Sequence, residues 1–154
     1  MMSKKTIGVF ANILVGIQFT SLMLLSGLAL LFPNSDYWVA NLGLIILALF
    51  IVALAYKELR PTISVNPIPR EDGVFIRSGI YKRLRHPMYA AVILLAFGLS
   101  GFSSNTWAIA ICGILTINMI IKAKLEDDLL MKRYPEEWRY INSVPGFIPC
   151  KCND

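Results

Sequence analysis

Two long apolar runs constrain this chain more than any other feature of its sequence. They cover residues 7–32 and 39–56, and neither contains an Asp, Glu, Lys, Arg or His. A helix of about 20 apolar residues crosses the roughly 30 Å hydrocarbon core of a bilayer, so each run predicts a transmembrane helix. The chain is 56% hydrophobic and only 16% charged, which excludes an ordinary soluble domain.

Two shorter apolar runs follow, over residues 87–102 and 107–121. The polar stretch "SSN" separates them, and "PNSD" separates the first two runs, so each pair is expected to form a helical hairpin. We predict an all-α, polytopic membrane protein with about four transmembrane helices in two hairpins and a cytoplasmic C-terminal helix. Residues 1–154 are then a single domain, whose remaining parts are a loop over 57–86 and a C-terminal segment over 122–154.

The distribution of basic residues predicts the orientation in the membrane. All 15 Lys and Arg residues lie before the first run, between the second and third runs, or after the fourth, and the two short turns contain none. Because cytoplasmic flanks collect Lys and Arg, both termini and the loop over 57–86 are expected in the cytoplasm. The net charge of +5 needs no nucleic acid as a partner, since anionic lipid headgroups account for it.

Three cysteines, Cys112, Cys150 and Cys152, have neither the even count of a disulfide framework nor the spacing of a zinc site. Cys112 is expected to pack inside the helix bundle. No role is assigned to Cys150 and Cys152, and no metal site is predicted.

The stretch "RLRHPMYAAV", residues 83–92, is the main candidate for chemistry. Pro87 is suited to the first turn of a helix, so it predicts His86 at the helix entrance, with Tyr89 on about the same side. The short turn makes the third and fourth helices antiparallel neighbours. Glu126, expected just past the end of the fourth helix, would therefore lie across from His86.

The chain resembles the isoprenylcysteine carboxyl methyltransferase and phospholipid methyltransferase superfamily of integral membrane enzymes. The resemblance covers roughly the C-terminal half, in order, with a hairpin of suitable length between its parts. The matching elements are Gly79-Ile80-Tyr81, Arg85-His86-Pro87-Met88-Tyr89, Glu126-Asp127, Leu130, Tyr134-Pro135, Trp138, Tyr140 and Pro149. The chain departs from the family pattern at Ile80, Ala91, Asp127 and Pro135.

The resemblance implies a methyltransferase that uses S-adenosylmethionine and acts on a lipophilic acceptor or lipidated substrate from the bilayer. The acceptor would be a prenylcysteine-type carboxylate, or a lipid amine or hydroxyl. The sulfonium, ammonium, carboxylate and adenine of the cofactor favour a site with carboxylates, hydrogen-bond donors and aromatic faces. The residues implied for cofactor binding are Tyr81, His86, Pro87, Tyr89, Glu126 and Asp127.

The expected catalytic residues depend on the acceptor. An ionised carboxylate needs a positive neighbour, for which Arg85 and Arg139 are the candidates. An amine or phenol needs a base, for which His86 and Glu126 are the candidates. The residues that we predict to be catalytic are Arg85, Glu126 and Arg139, at the cytoplasmic face of the membrane.

Two other functions fit the sequence. The same broad superfamily is similar to the catalytic part of membrane steroid reductases, which use NADPH. The second alternative is a non-enzymatic four-helix membrane protein, such as a small transporter or assembly factor. A transporter is expected to place ionisable groups within its spans, and the four runs contain none. The oligomeric state is left open.

Several candidate residues also have an ordinary structural explanation. Basic residues such as Arg85 anchor helix ends to lipid headgroups, and Tyr81 and Tyr89 are typical of an interfacial aromatic belt. Glu126 can form a solvated pair with Lys122 at i,i+4. The polar residues within the spans are expected to hydrogen-bond between helices; they are Asn12, Gln18 and Asn118.

Overall fold

The structure is a computed structural model that describes residues 3–33, 36–59, 66–69, 75–103 and 105–147. Regular structure within these ranges is helical. The elements are α1 (Lys4–Leu31), α2 (Trp38–Leu59), α3 (Pro87–Gly101), α4 (Thr106–Arg133) and α5 (Trp138–Ser143), with 3₁₀ turns at Gly79–Lys82 and Pro135–Glu137. Cys150, Cys152 and Pro149 lie outside the described residues, as does much of the loop over 57–86.

Three helices are long and apolar enough to cross a membrane, namely α1 from Lys5 onward, α2 and α4. The fourth, α3, is apolar but shorter. Large apolar side chains on the outer surfaces of the helices are exposed, among them Leu30 on α1 at 81% and Ile109 on α4 at 70%. Such surfaces are expected where a helix faces lipid. The prediction of an all-α, polytopic membrane protein is confirmed.

Helix α3 lies at the centre of the bundle, in contact with α2, α4 and α1. Its small residues allow this close packing: a Cβ added at Gly98 would lie 2.7 Å from Ile45 Cγ1 and 3.0 Å from the backbone oxygen of Asn41 on α2. Small residues at such contacts are the usual means by which membrane helices approach closely. The buried core shared by α1, α3 and α4 consists of Leu25, Ala96, Ala108, Cys112, Leu115 and Met119, so the packing role expected of Cys112 is confirmed.

The hairpin predicted for the first two apolar runs is wrong: α1 and α2 are consecutive in the chain, yet α1 packs against α4 and α3 rather than along α2. Polar groups hold it there. Asn118 Nδ2 on α4 donates to the Leu14 carbonyl of α1 at 2.9 Å, and Lys122 Nζ donates to Gln18 Oε1 at 2.6 Å. The interhelical hydrogen bonding expected of Gln18 and Asn118 is confirmed, and it explains why α1 lies beside α4.

Helix α4 does not end near residue 121, as the apolar pattern predicts, but continues to Arg133. The stretch "KAKLEDDLLMKR" contains neither Gly nor Pro and consists mainly of strong helix formers. Lys132 and Arg133 complement the helix dipole in its last turn, and the helix stops two residues before Pro135. The placement of Glu126 beyond the helix is therefore wrong: Glu126 and Asp127 lie on α4 itself.

The two turns without basic residues meet at one end of the bundle, where Pro33 and Ser103 form an isolated antiparallel bridge. At the other end, the backbone N–H groups of Arg85 and His86 donate to the carbonyls of Pro145 and Gly146, each at 3.0 Å. The C-terminal segment is thus hydrogen-bonded directly to the entrance of α3.

Candidate active site

His86 occupies the N-cap position of α3, and Pro87 is the first residue of the helix. Proline is favoured there because its missing N–H would have no partner in the helix. The His86 ring is almost completely buried, with 3% of its side chain exposed. It stacks on Tyr89 with ring centroids 5.5 Å apart and an interplanar angle of 15°, and Phe147 lies 6.0 Å away. Helix start, C-terminal segment and aromatic neighbours therefore fix the position of one imidazole.

Two consecutive carboxylates of α4 face that imidazole. Asp127 Oδ1 lies 3.0 Å from His86 Nε2, and Glu126 Oε2 lies 3.7 Å from His86 Nδ1. Asp127 Oδ2 also accepts a hydrogen bond of 2.7 Å from Arg85 Nη1. Charge-assisted contacts of this kind are among the stronger polar interactions in proteins. Arg85, His86 and Asp127 form one connected unit with Glu126 beside it, and these four residues are called the polar cluster below.

Two cavities meet at this cluster. The first, the loop-side cavity, is bounded by the loop segments, α4 and α5. The second, the interhelical cavity, lies between α1, α2, α3 and α4. The residues that line both cavities, and so form the wall between them, are Leu59, Tyr81, Arg85, His86 and Glu126.

Aromatic side chains line the loop-side cavity. The Phe75 ring makes edge contacts with Tyr134 and Tyr140, at centroid distances of 5.5 and 5.3 Å. The Tyr140 hydroxyl donates to the backbone oxygen of Tyr81 at 2.6 Å. Burial raises the pKa of Tyr140 to about 12, with a further increase from Asp127 and an opposing effect of Arg85, and burial also raises the pKa of Tyr81. Both phenols stay protonated near neutral pH.

The structure brings most of the predicted site residues together. Tyr81, Arg85, His86 and Glu126 line both cavities; Asp127 lines the loop-side cavity; Pro87 and Tyr89 line the interhelical cavity. Arg139 is different, because it is exposed on α5 and lines neither cavity. The geometry thus separates Arg139 from the other candidates.

Sequence reasoning missed Lys122, which it counted among the cytoplasmic basic residues. Lys122 is completely buried. Its ammonium lies 5.2 Å from the centroid of the Tyr89 ring and donates a hydrogen bond to Gln18. The available signal was its spacing: Lys122 is four residues before Glu126 and four after Asn118, so all three share one face of α4. The shared face could be recognised from the sequence only if α4 was expected to continue past residue 121.

The profile of the family named "Phospholipid methyltransferase" matches residues 36–137. The chain belongs to this family. The match spans α2, α3, α4 and the polar cluster, while α1 and α5 lie outside it. A comparison with curated proteins finds no match. Family membership makes the chain an integral membrane methyltransferase and implies S-adenosylmethionine as the methyl donor.

The residues of this phospholipid methyltransferase family member fit such a cofactor. Arg85 Nε is buried and has no hydrogen-bond partner among the described residues, so the guanidinium keeps a donor for a ligand carboxylate. Glu126 offers a carboxylate to a ligand ammonium. Phe75, Tyr81 and Tyr134 add aromatic surface of the kind that accepts an adenine or a sulfonium. The loop-side cavity therefore supplies every type of group that the cofactor needs.

Proposed function

We propose that this protein is an S-adenosylmethionine-dependent methyltransferase that acts on a lipophilic acceptor embedded in the bilayer. One observation carries the proposal: the loop-side and interhelical cavities share a wall that contains His86 and Glu126. A water-soluble cofactor suits the loop-side cavity, and a lipid suits the cavity between the membrane helices. The two reactants would then meet at the polar cluster without sharing a route of entry.

The proposed roles follow from the contacts. Glu126 and the free donor of Arg85 hold the ammonium and the carboxylate of the cofactor. Asp127 is a positioning residue, because its two oxygens hold Arg85 and His86 in place. When bound, S-adenosylmethionine supplies an electrophilic methyl group on a positively charged sulfur. Alignment of such a group with its acceptor accounts for most of the rate enhancement that a methyltransferase needs.

Whether the reaction needs a base from the protein depends on the class of acceptor. For an amine or hydroxyl acceptor, His86 takes the proton, since it lies at the shared wall and its Nδ1 is 3.7 Å from Glu126. For a carboxylate acceptor no base is needed, and Arg85 supplies a positive charge. Arg139 is not part of the proposal, because it lines neither cavity.

We further propose that both termini and the active site face the cytoplasm. The polar cluster lies at the end of the bundle that carries the basic residues, and the turns that meet at Pro33 and Ser103 lie at the other end. A positive-inside arrangement then places the cofactor cavity on the side where S-adenosylmethionine is made.

Calorimetric titration of the detergent-purified protein tests the proposed function. S-adenosylmethionine is expected to bind with a stoichiometry of one per chain, and NADPH is expected not to bind. Binding of NADPH without binding of S-adenosylmethionine would favour a reductase. Binding of neither would contradict both enzymes and leave a non-enzymatic membrane protein.

A further inference from the structure

A carboxylate at the end of α2 contacts the 3₁₀ turn that carries Tyr81. Glu58 lies in the last turn of α2, which ends at Leu59. Its Oε2 accepts a hydrogen bond from the hydroxyl of Ser78, 20 positions further along the chain. A negative charge near the C-terminal end of a helix is unfavourable with respect to the helix dipole. The charge of Glu58 therefore does not stabilise α2, and its contact with Ser78 needs a separate explanation.

The backbone after Ser78 is shaped to receive that carboxylate. Gly79 has a φ of 56°, in the left-handed region that glycine adopts without strain. A Cβ at Gly79 would overlap the carboxylate of Glu58, so the missing side chain leaves the room that Glu58 occupies. The turn over Gly79–Lys82 begins at this point, and the Tyr81 N–H donates to the Ser78 carbonyl at 3.1 Å. The position of Glu58 is thus coupled to the start of the turn.

Tyr81 is the residue of this turn that reaches the candidate site. It is 8% exposed and lines both the loop-side and the interhelical cavity. Burial and Glu126 raise the pKa of its phenol most, and Glu58 adds a smaller increase. On the opposite side, the Tyr140 hydroxyl donates to the Tyr81 backbone oxygen. Tyr81 is therefore held from two directions, by α5 through Tyr140 and by α2 through the contact of Glu58 with the turn.

The contact between Glu58 and Ser78 also has an ordinary explanation as a surface hydrogen bond. Ser78 and Gly79 are exposed, and a hydrogen bond at such a position contributes only modestly to the free energy of unfolding. Its location favours a local role, because Leu59, the neighbour of Glu58, lines both cavities as Tyr81 does. The end of α2 and the turn meet at the wall between the cavities.

We propose that Glu58 is a positioning residue of the candidate active site: it fixes the turn over Gly79–Lys82 against the end of α2 and so holds Tyr81 at the wall shared by the two cavities. Glu58 does not line either cavity, so it acts through Tyr81. That this position serves the binding of S-adenosylmethionine rests on the proposed function; that Glu58 sets the position of Tyr81 does not.

The position of Tyr81 is tested without a ligand by ¹⁹F NMR of the full-length protein labelled with 3-fluorotyrosine. The chain has six tyrosines, and the signal that disappears in Tyr81→Phe identifies Tyr81. Glu58→Ala and Ser78→Ala each remove one side of the contact, so both are expected to broaden or split this signal. Glu58→Gln keeps an acceptor oxygen for Ser78 and should retain a single narrow signal. Glu136→Gln, at an exposed acidic residue, is the control and should leave the signal unchanged.

The affinity for S-adenosylmethionine then connects this position to the site. Glu58→Ala is expected to weaken binding about threefold to tenfold, the scale of one hydrogen bond, and Tyr81→Leu is expected to weaken it as well. In the Tyr81→Leu background, Glu58→Ala should have little further effect, because independent effects would add and effects through one residue do not. Calorimetry measures the affinities of the unmodified protein, the two single variants and the double variant, and circular dichroism shows that each is folded.

A single narrow Tyr81 signal in both alanine variants would overturn the inference, whatever their affinity. If Glu58→Ala does not fold, Ser78→Ala decides, since Ser78 is exposed. Additive effects of Glu58→Ala and Tyr81→Leu on affinity would also overturn it, because Glu58 would then act elsewhere. If the alanine variants disturb the Tyr81 signal but the unmodified protein does not bind S-adenosylmethionine, the proposed function is contradicted and the positioning of Tyr81 by Glu58 is upheld.

Discussion

His86 and Asp127 are 41 positions apart in the chain, yet His86 Nε2 lies 3.0 Å from Asp127 Oδ1. The contact joins the start of α3 to the C-terminal half of α4. The second oxygen of Asp127 accepts a hydrogen bond from Arg85. A single carboxylate therefore orients two groups of the candidate site. Three connected side chains give the site a fixed geometry before any ligand arrives.

Replacing Asp127 by Asn tests this positioning role. The substitution keeps the size of the side chain but leaves Arg85 and His86 with a neutral partner, so we expect a loss of about 1 to 3 kcal/mol in unfolding free energy. Thermal unfolding in detergent, monitored by circular dichroism, measures the change. Asp128→Asn is the matched control because Asp128 is exposed on the same helix. Equal transition temperatures for the two variants would contradict the connected cluster.

A second prediction concerns the packing that places α3. Gly98→Ala introduces a Cβ too close to Ile45 and to the backbone of α2, and overpacking of this kind typically costs about 1 to 3 kcal/mol. Gly113→Ala is the control, because a Cβ at Gly113 meets no atom of the described residues within 4 Å. Alanine in an open helical position is expected to be neutral or stabilising by about 1 kcal/mol. If both variants unfold at the same temperature, the α2–α3 contact is not as tight as described.

Tyr140 provides a prediction with a pH dependence. Its hydroxyl donates to the Tyr81 carbonyl, and burial raises its pKa from 10.0 to about 12. Because the folded-state pKa is raised, its stabilising contribution is complete below pH 10 and is lost as the pH rises from 10 through 12. Tyr140→Phe should therefore lower stability by about 1 kcal/mol at neutral pH and show a weaker decline above pH 10. If the stability of the unmodified protein and of Tyr140→Phe falls equally above pH 10, other groups cause the fall and the prediction is contradicted.

The orientation in the membrane is tested by cysteine labelling in a background that lacks Cys112, Cys150 and Cys152. Single cysteines at Asp36 and Thr106, which are exposed near the two short turns, are expected to react with an impermeant maleimide added to intact cells. A cysteine at Lys82 should react only after the cells are opened. Labelling of Lys82 from outside would reverse the orientation, and protection of one turn alone would contradict the four-span arrangement.

The sequence predicted the local features of this protein well. The starts of α2, α3 and α4 follow from where the apolar runs begin, and Pro87 correctly predicted His86 at the entrance of α3. These features depend on residues close together in the chain. Helix propensity and the position of a proline are sufficient to predict them.

The features that the sequence did not predict depend on contacts between distant residues. Apolarity ends near residue 121, but α4 does not, so the pattern gave no reason to place Lys122 inside the bundle. The hydrogen bonds from the entrance of α3 to Pro145 and Gly146 connect segments about 60 residues apart and have no local signature. Arg139 was a reasonable candidate by charge alone, and only the cavity lining separates it from the site.

In the proposed function, the polar cluster binds S-adenosylmethionine through Glu126, and calorimetry on two Glu→Gln variants tests this contact. Glu126→Gln removes a charge within the shared wall of the cavities, so we expect a loss of about 1.5 to 3 kcal/mol, or about 10- to 100-fold in affinity. Glu136→Gln removes an exposed charge from the turn after α4 and should leave the affinity unchanged. Equal and small effects in the two variants would contradict the claim.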